Sequence, residues 1–221
     1  LEPLPDKLRN QATEINIYCH DLLKVDIFSR MMLVAVIFTQ GKVKGDWEEW
    51  DRTEIISDCH SPKFVKSVRL PAATELDRAT IYQLRVYNQT HRAEQLVPSD
   101  IVGLCTFKLS EMLMDNSHTI HKNILSPRSG RKKGGVVLTL DFIRHMDPES
   151  KVIFDFGFTE SAPLTDRLRF VITKALREGR FTPVYRSEVQ TKQQLSKFED
   201  ACISPQDFHG GDERRLFRLE L

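Results

Sequence analysis

The sequence has no apolar run long enough to cross a bilayer and no signal-like apolar segment at its start. That pattern predicts a protein of a reducing, cytoplasmic compartment. Only four cysteines occur (Cys19, Cys59, Cys105, Cys202), scattered, with no CxxC pair and no histidine at zinc-ligand spacing. A structural zinc site and a disulfide framework are therefore not expected, and Cys19 and Cys105 read as buried thiols. Neither charge sign dominates: 32 Lys and Arg face 31 Asp and Glu, a net of +1. No global field draws the chain to nucleic acid, so none is expected as a partner, and any electrostatic partner must meet a local patch. GxSxG, HExxH, a phosphate-cradling glycine loop and a CxxxxxR loop are all missing, so no enzyme is expected. His118 and His121 lack a third ligand and read as surface residues.

What is present is strand pattern. Hydrophobic residues make up 40% and charged residues 29%, a globular balance. Ile15, Ile17 and Cys19 alternate with Asn16, Tyr18 and His20; Leu33 to Phe38 is a short continuous apolar run. Further strands are expected around Trp50 to Ile55, Phe64 to Leu70, Leu84 to Tyr87 and Gly103 to Leu109. The last runs from Gly134-Gly135 through Phe142. Ser110 to Met114 suits one helical turn. Residues 1–12 read as a lead-in and 146–150 (Met-Asp-Pro-Glu-Ser) as a linker. Many short strands between polar loops predict an all-β antiparallel sandwich.

One motif occurs twice. Arg52-Thr53-Glu54-Ile55 follows Phe38-Thr39, and Arg186-Ser187-Glu188-Val189 follows Ile172-Thr173; both the Glu and the Thr pairs lie 134 positions apart (188 − 54 and 173 − 39). A constant offset predicts two copies of one unit, over 13–145 and 151–221. Between Thr165 and Gly179 the apolar spacing fits a helix, but this offset requires a strand through Phe170–Thr173, and the strand is preferred.

Several segments resemble the copine family in order along the chain. Tyr18-Cys19-His20-Asp21-Leu22 and Asp26-Ile27-Phe28-Ser29 resemble its first strand and calcium loop, Arg52-Thr53-Glu54-Ile55-Ile56 its RTEVI strand, and Ser61-Pro62-Lys63-Phe64-Val65 its NPxFV turn. Val86-Tyr87-Asn88 and Asp100-Ile101-Val102-Gly103 bracket a segment similar to its third loop. The resemblance implies tandem C2-type eight-stranded antiparallel β-sandwiches that bind phospholipid, usually through calcium. The second copy would be truncated, and the chain, which stops at Leu221 in a strand-like run, is expected to be a fragment.

The calcium positions implied by the resemblance are depleted. In the first unit Asp26 and Asp100 match, but Met32, Asn88 and Thr90 stand where aspartates are expected. Ca²⁺ takes 6–8 oxygen ligands, and a thioether is no substitute for a carboxylate. Calcium dependence is expected to be weakened or lost there. The 134 offset carries loop one to Glu160 and Asp166, so a weak calcium site in the second unit stays open. Arg128, Arg131, Lys132 and Lys133 cluster before the closing strand, and cations beside an anionic leaflet contribute about 1 kcal/mol each. With Phe28 and Met31 dipping into the interface, they would hold the chain peripherally on the cytoplasmic face of an anionic phospholipid membrane. A calcium-independent protein scaffold, or the targeting region of a lipid-modifying enzyme, is the alternative.

Overall fold

The computed structural model describes residues 12–23, 30–40, 45–70, 80–89, 96–143, 150–156, 167–176, 179–191, 198–212 and 214–221. Two compact units are present, Leu1–Phe142 and Ile143–Leu221. Described elements are mostly strands. Of the expected linker 146–150, only Ser150 is among the described residues.

The first unit contains β1 (Ala12–His20), β2 (Met32–Gln40), β3 (Trp47–Arg52), the two-residue β4 (Ile56–Ser57), β5 (Val68–Leu70) and β6 (Ile81–Asn88). It continues through β7 (Ile101–Lys108), the helical turn α1 (Leu109–Met114), β8 (Thr119–Leu125) and β9 (Lys132–Ile143). β1 begins inside the expected lead-in, and Ile55 lies beyond the strand that carries Trp50. The hydrogen-bonded path runs β3-β2-β6-β7-β8-β9-β1-β5, with β4 beside β2. Nine strands result where eight were expected, the extra one being β4.

This single sheet is sandwich-like because it folds at one link. β7 and β8 share one residue pair, Leu104 opposite Leu125, whereas β6 and β7 pair from Ile81–Lys108 to Tyr87–Ile101. Both sides of that link face one core. Ile15, Ile17 and Cys19 of β1, with Val136, Leu138 and Leu140 of β9, meet Leu33, Ala35 and Ile37 of β2 and Leu84 and Val86 of β6. Each fully buried Leu or Ile stabilises the fold by about 1.5–3 kcal/mol. The apolar run in β2 is explained by burial on both faces: Val34, Val36 and Phe38 join Tyr87 in a second cluster on the opposite face. Cys19 and Cys105 are buried free thiols, and burial pushes the Cys105 thiol up to about 12. His118 is not a surface residue. It is buried at a positive φ of 52°, with its ring edge-on to Phe142 at 5.2 Å.

The second unit contains β10 (Val152–Phe154), β11 (Arg167–Leu168), β12 (Val171–Ala175), β13 (Phe181–Arg186), β14 (Gln190–Thr191), β15 (Ala201–Ile203), α2 (Pro205–Phe208) and β16 (Phe217–Glu220). β10 pairs with β15, β11 with β14, and β12 lies between β13 and β16. The strand over Val171–Ala175 excludes the helix that local periodicity favours. Its core is aromatic: Phe170 has Phe156, Phe198 and Tyr185 at ring distances of 4.5, 4.8 and 5.7 Å.

The internal repeat is visible in the register. In the first unit Val36 pairs with Arg52 and Ile37 with Asp51; a bulge follows, then Phe38 pairs with Glu49 and Gln40 with Trp47. In the second, Val171 pairs with Arg186 and Ile172 with Tyr185; a bulge follows at the same step, then Thr173 pairs with Pro183 and Ala175 with Phe181. β3 and β13 keep the offset of 134 (186 − 52), while β2 and β12 are 135 apart (171 − 36). The neighbouring ladder repeats too, Ile37 opposite Leu84 becoming Ile172 opposite Leu219. One expectation is corrected: Thr39 corresponds to Lys174, not Thr173. The same register puts Arg167, not Asp166, at the position of Met32.

Candidate functional site

The repeated Thr/Ser–Glu motif braces neighbouring segments through backbone hydrogen bonds. Thr53 Oγ1 accepts the Ala35 N–H at 3.0 Å, and its hydroxyl donates to Glu54 O at 3.0 Å. The Glu54 carboxylate accepts the N–H groups of Val65 (2.6 Å) and Lys66 (3.0 Å). In the second unit Ser187 Oγ accepts the Phe170 N–H at 2.9 Å and donates to Glu188 O, while Glu188 accepts the Glu199 N–H at 3.1 Å. Burial alone would raise the Glu188 carboxyl; hydrogen bonds from Glu199 and Gln190 outweigh it and hold the group below the ordinary carboxylate range.

The candidate site lies at one end of the first unit, where hydrogen bonds tie five segments together: the end of β1, the start of β2, the segment after β4, the end of β6 and the start of β9. Leu23 N–H donates to Lys133 O at 2.9 Å, joining the end of β1 to the β8–β9 turn. Leu22 N–H donates to His60 O, and Asp58 N–H to Met31 O, adding the segment after β4. Gln89 N–H donates to Met32 O at 2.8 Å, and Met32 N–H to Asn88 Oδ1 at 2.8 Å, which brings in the end of β6.

The β8–β9 turn is a defined structure. Ser126 N–H donates to Arg131 O (2.8 Å), Gly130 N–H to Ser126 O (2.9 Å), and Ser129 N–H to Ser126 Oγ (3.4 Å). Gly130, at φ 65°, supplies the left-handed residue. Arg128, Arg131 and Lys132 are exposed and Lys133 is half-buried. Among the described residues none of the four has an ion-pair partner. Two nearby lysines are engaged instead: Lys63 lies over the Tyr18 ring at 5.5 Å and Lys66 is paired with Asp51 at 2.6 Å.

Beside this turn the β9 glycines admit the end of β1. A Cβ on Gly135 would overlap the His20 ring, and one on Gly134 would meet Leu22 and the carbonyl oxygens of His20 and Asp21. Nδ1 of His20 lies 2.8 Å from Asp21 Oδ2.

Two expected site residues stand differently. Met31, expected to dip into lipid, is 3% exposed and belongs to the main core cluster, with Leu22 and Leu33. Asn88 is buried, and its side-chain oxygen is engaged by the Met32 N–H. Asp100 sits in a 3-10 turn, where its carboxylate accepts the Ser99 hydroxyl at 3.3 Å. Asp26, Phe28, Thr90, Glu160 and Asp166 lie outside the described residues. Among the described residues no three acidic, His or Cys side chains come together as a metal site. What sequence reasoning missed is the exposed Leu23, at 54%, with Val97 and Leu125 also exposed at this end. A second leucine after Leu22, out of phase with β1, was the available signal.

No family model matches the chain. Over 222 residues it is 19% identical to Copine-D of Dictyostelium discoideum, covering 100% of this chain and 40% of that protein. The chain thus spans less than half the length of this curated relative. Among solved structures it is similar to BON1-C2B, with 17% identity and a TM-score of 0.46 over 66% of this chain and 99% of that one. A C2 domain of plant Extended Synaptotagmin 1 gives 14% identity and a TM-score of 0.43 over 62% of this chain and 98% of that one.

Proposed function

We propose that the chain is a copine-like peripheral membrane protein of tandem C2-type units that adsorbs to anionic phospholipid through the β8–β9 turn of the first. The observation that carries this reading is the turn and the strand start it leads into: Arg128 and Arg131 of the turn with Lys132 and Lys133 opening β9, four cations without ion-pair partners among the described residues, beside the exposed Leu23. The repeated ladder and bulge support the tandem arrangement. Calcium dependence is weakened or lost in the first unit, since Asn88 is engaged and Met32 offers no hard oxygen. The chain is no enzyme in this reading, and its place is the cytoplasmic face of a membrane.

Co-sedimentation of the full chain with phosphatidylserine/phosphatidylcholine vesicles tests it, against phosphatidylcholine alone, with excess Ca²⁺ or chelator. Binding to the anionic vesicles is expected to be equal in both and to weaken with salt. Replacing Arg128, Arg131, Lys132 and Lys133 by Gln should lower affinity by about two to three orders of magnitude. Binding only with Ca²⁺, or full binding by the quadruple variant, overturns the mechanism. A folded chain that binds no vesicle would favour the protein scaffold.

A further inference from the structure

The turn that carries the cations also carries two serines, and the structure treats them differently. Ser126 is half-buried and is the anchor of the turn: its N–H donates to Arg131 O, its carbonyl accepts from Gly130, and its Oγ accepts from Ser129 N–H. Ser129 sits at the apex and is exposed, between Arg128 and Arg131. Its Oγ takes part in one long contact, accepting the Arg131 N–H at 3.4 Å, and the side chain is open to solvent. A hydroxyl on a protruding turn, followed by Arg131, Lys132 and Lys133, suits the acidic substrate groove of a protein kinase that selects basic residues after its acceptor.

We infer that Ser129 is a phosphorylation site and that its modification releases the chain from anionic membrane. This inference rests on the membrane reading above. The Ser129 oxygen attacks the γ-phosphorus of ATP, the new O–P bond forms as the bond to the β–γ bridging oxygen breaks, ADP leaves, and the hydroxyl proton passes to the kinase's base. The phosphate carries about −1.5 to −2 charges at neutral pH. Placed among four cations it removes about half of the turn's positive charge, and at the usual contribution per cation the membrane affinity falls on the order of tenfold to thirtyfold. Ser126 is the poorer acceptor, because it is half-buried and its backbone N–H and carbonyl are both bonded within the turn, so the turn would have to open to present it.

The test incubates the full chain with ATP, Mg²⁺ and the catalytic domain of such a kinase, followed by peptide mapping and sedimentation with phosphatidylserine/phosphatidylcholine vesicles. One phosphoryl group at Ser129 is expected, absent from Ser129→Ala, together with the tenfold to thirtyfold loss of binding. Ser129→Asp should weaken binding in the same direction, and Ser129→Ala should bind as the unmodified chain does. Phosphate on Ser126 alone, no incorporation, or undiminished binding of the Ser129-phosphorylated chain overturns the inference. Failure of the unmodified chain to bind vesicles would instead remove the membrane reading and the release step with it, while the mapping still decides whether Ser129 is the acceptor.

Discussion

At the residue scale, Glu54 and Glu188 show how a charged group serves as scaffold. Each carboxylate holds backbone N–H groups of a segment 11 positions further on, Val65 in the first unit and Glu199 in the second. Hydrogen bonds to a charged acceptor contribute about 1.5–3 kcal/mol. Glu54→Ala should therefore destabilise the first unit by about 2 kcal/mol in urea unfolding followed by Trp50 fluorescence, since that indole reaches Arg69 O nearby. Vesicle binding should not change. Glu188 adds a pH dependence. Its folded carboxyl titrates below the unfolded value of about 4.3, so its contribution is complete above that value and is lost as the pH falls through the folded one. Amide exchange of Glu199, corrected for intrinsic rates, should accelerate below about pH 4.3, and Glu188→Gln should remove much of that change. The motif was legible in the sequence, because both copies keep a hydroxyl followed by Glu. Its role was not, because the groups it holds are backbone amides that carry no sequence signal.

At the scale of elements, the alternation of Ile15, Ile17 and Cys19 was enough to orient β1, and the apolar run of β2 to bury it. The second unit was harder. Leu168, Val171, Ile172, Ala175 and Leu176 satisfy a helical spacing, and tertiary pairing with β13 and β16 overrides it. The offset preferred the right element yet assigned Thr173 to the wrong partner, because one extra residue lies outside the paired strands and a motif count cannot see it. The corner between β7 and β8 makes a sharp prediction. A Cβ on Gly103 would overlap Ile124 and come within 3.0 Å of Leu125 O, next to the single residue pair that joins the layers. Gly103→Ala should destabilise the first unit by about 1–3 kcal/mol, read by denaturant unfolding; an unchanged midpoint would mean that the corner yields freely.

At the scale of the whole molecule, a repeat of a few residues in the sequence led to two hairpins whose ladders carry the same pairings and a bulge at the same step. Less legible was which loop residues meet at the end of the first unit. The basic cluster was apparent from composition, whereas the contact of Leu23 with Lys133 and the withdrawal of Met31 into the core depend on how β1 ends. The β8–β9 turn is formed by its own backbone bonds, so in the proposed adsorption little backbone ordering would remain to oppose binding.

The matched ladders have a consequence for how the chain can change. Paired strands with a shared bulge accept no insertion, so the single-residue difference between the copies had to fall in the segment between strands. Grafting 171–186 in place of 36–52 would preserve the backbone pairing between those strands, bulge included, and would test whether the rest of the unit recognises the hairpin by its backbone or by its side chains.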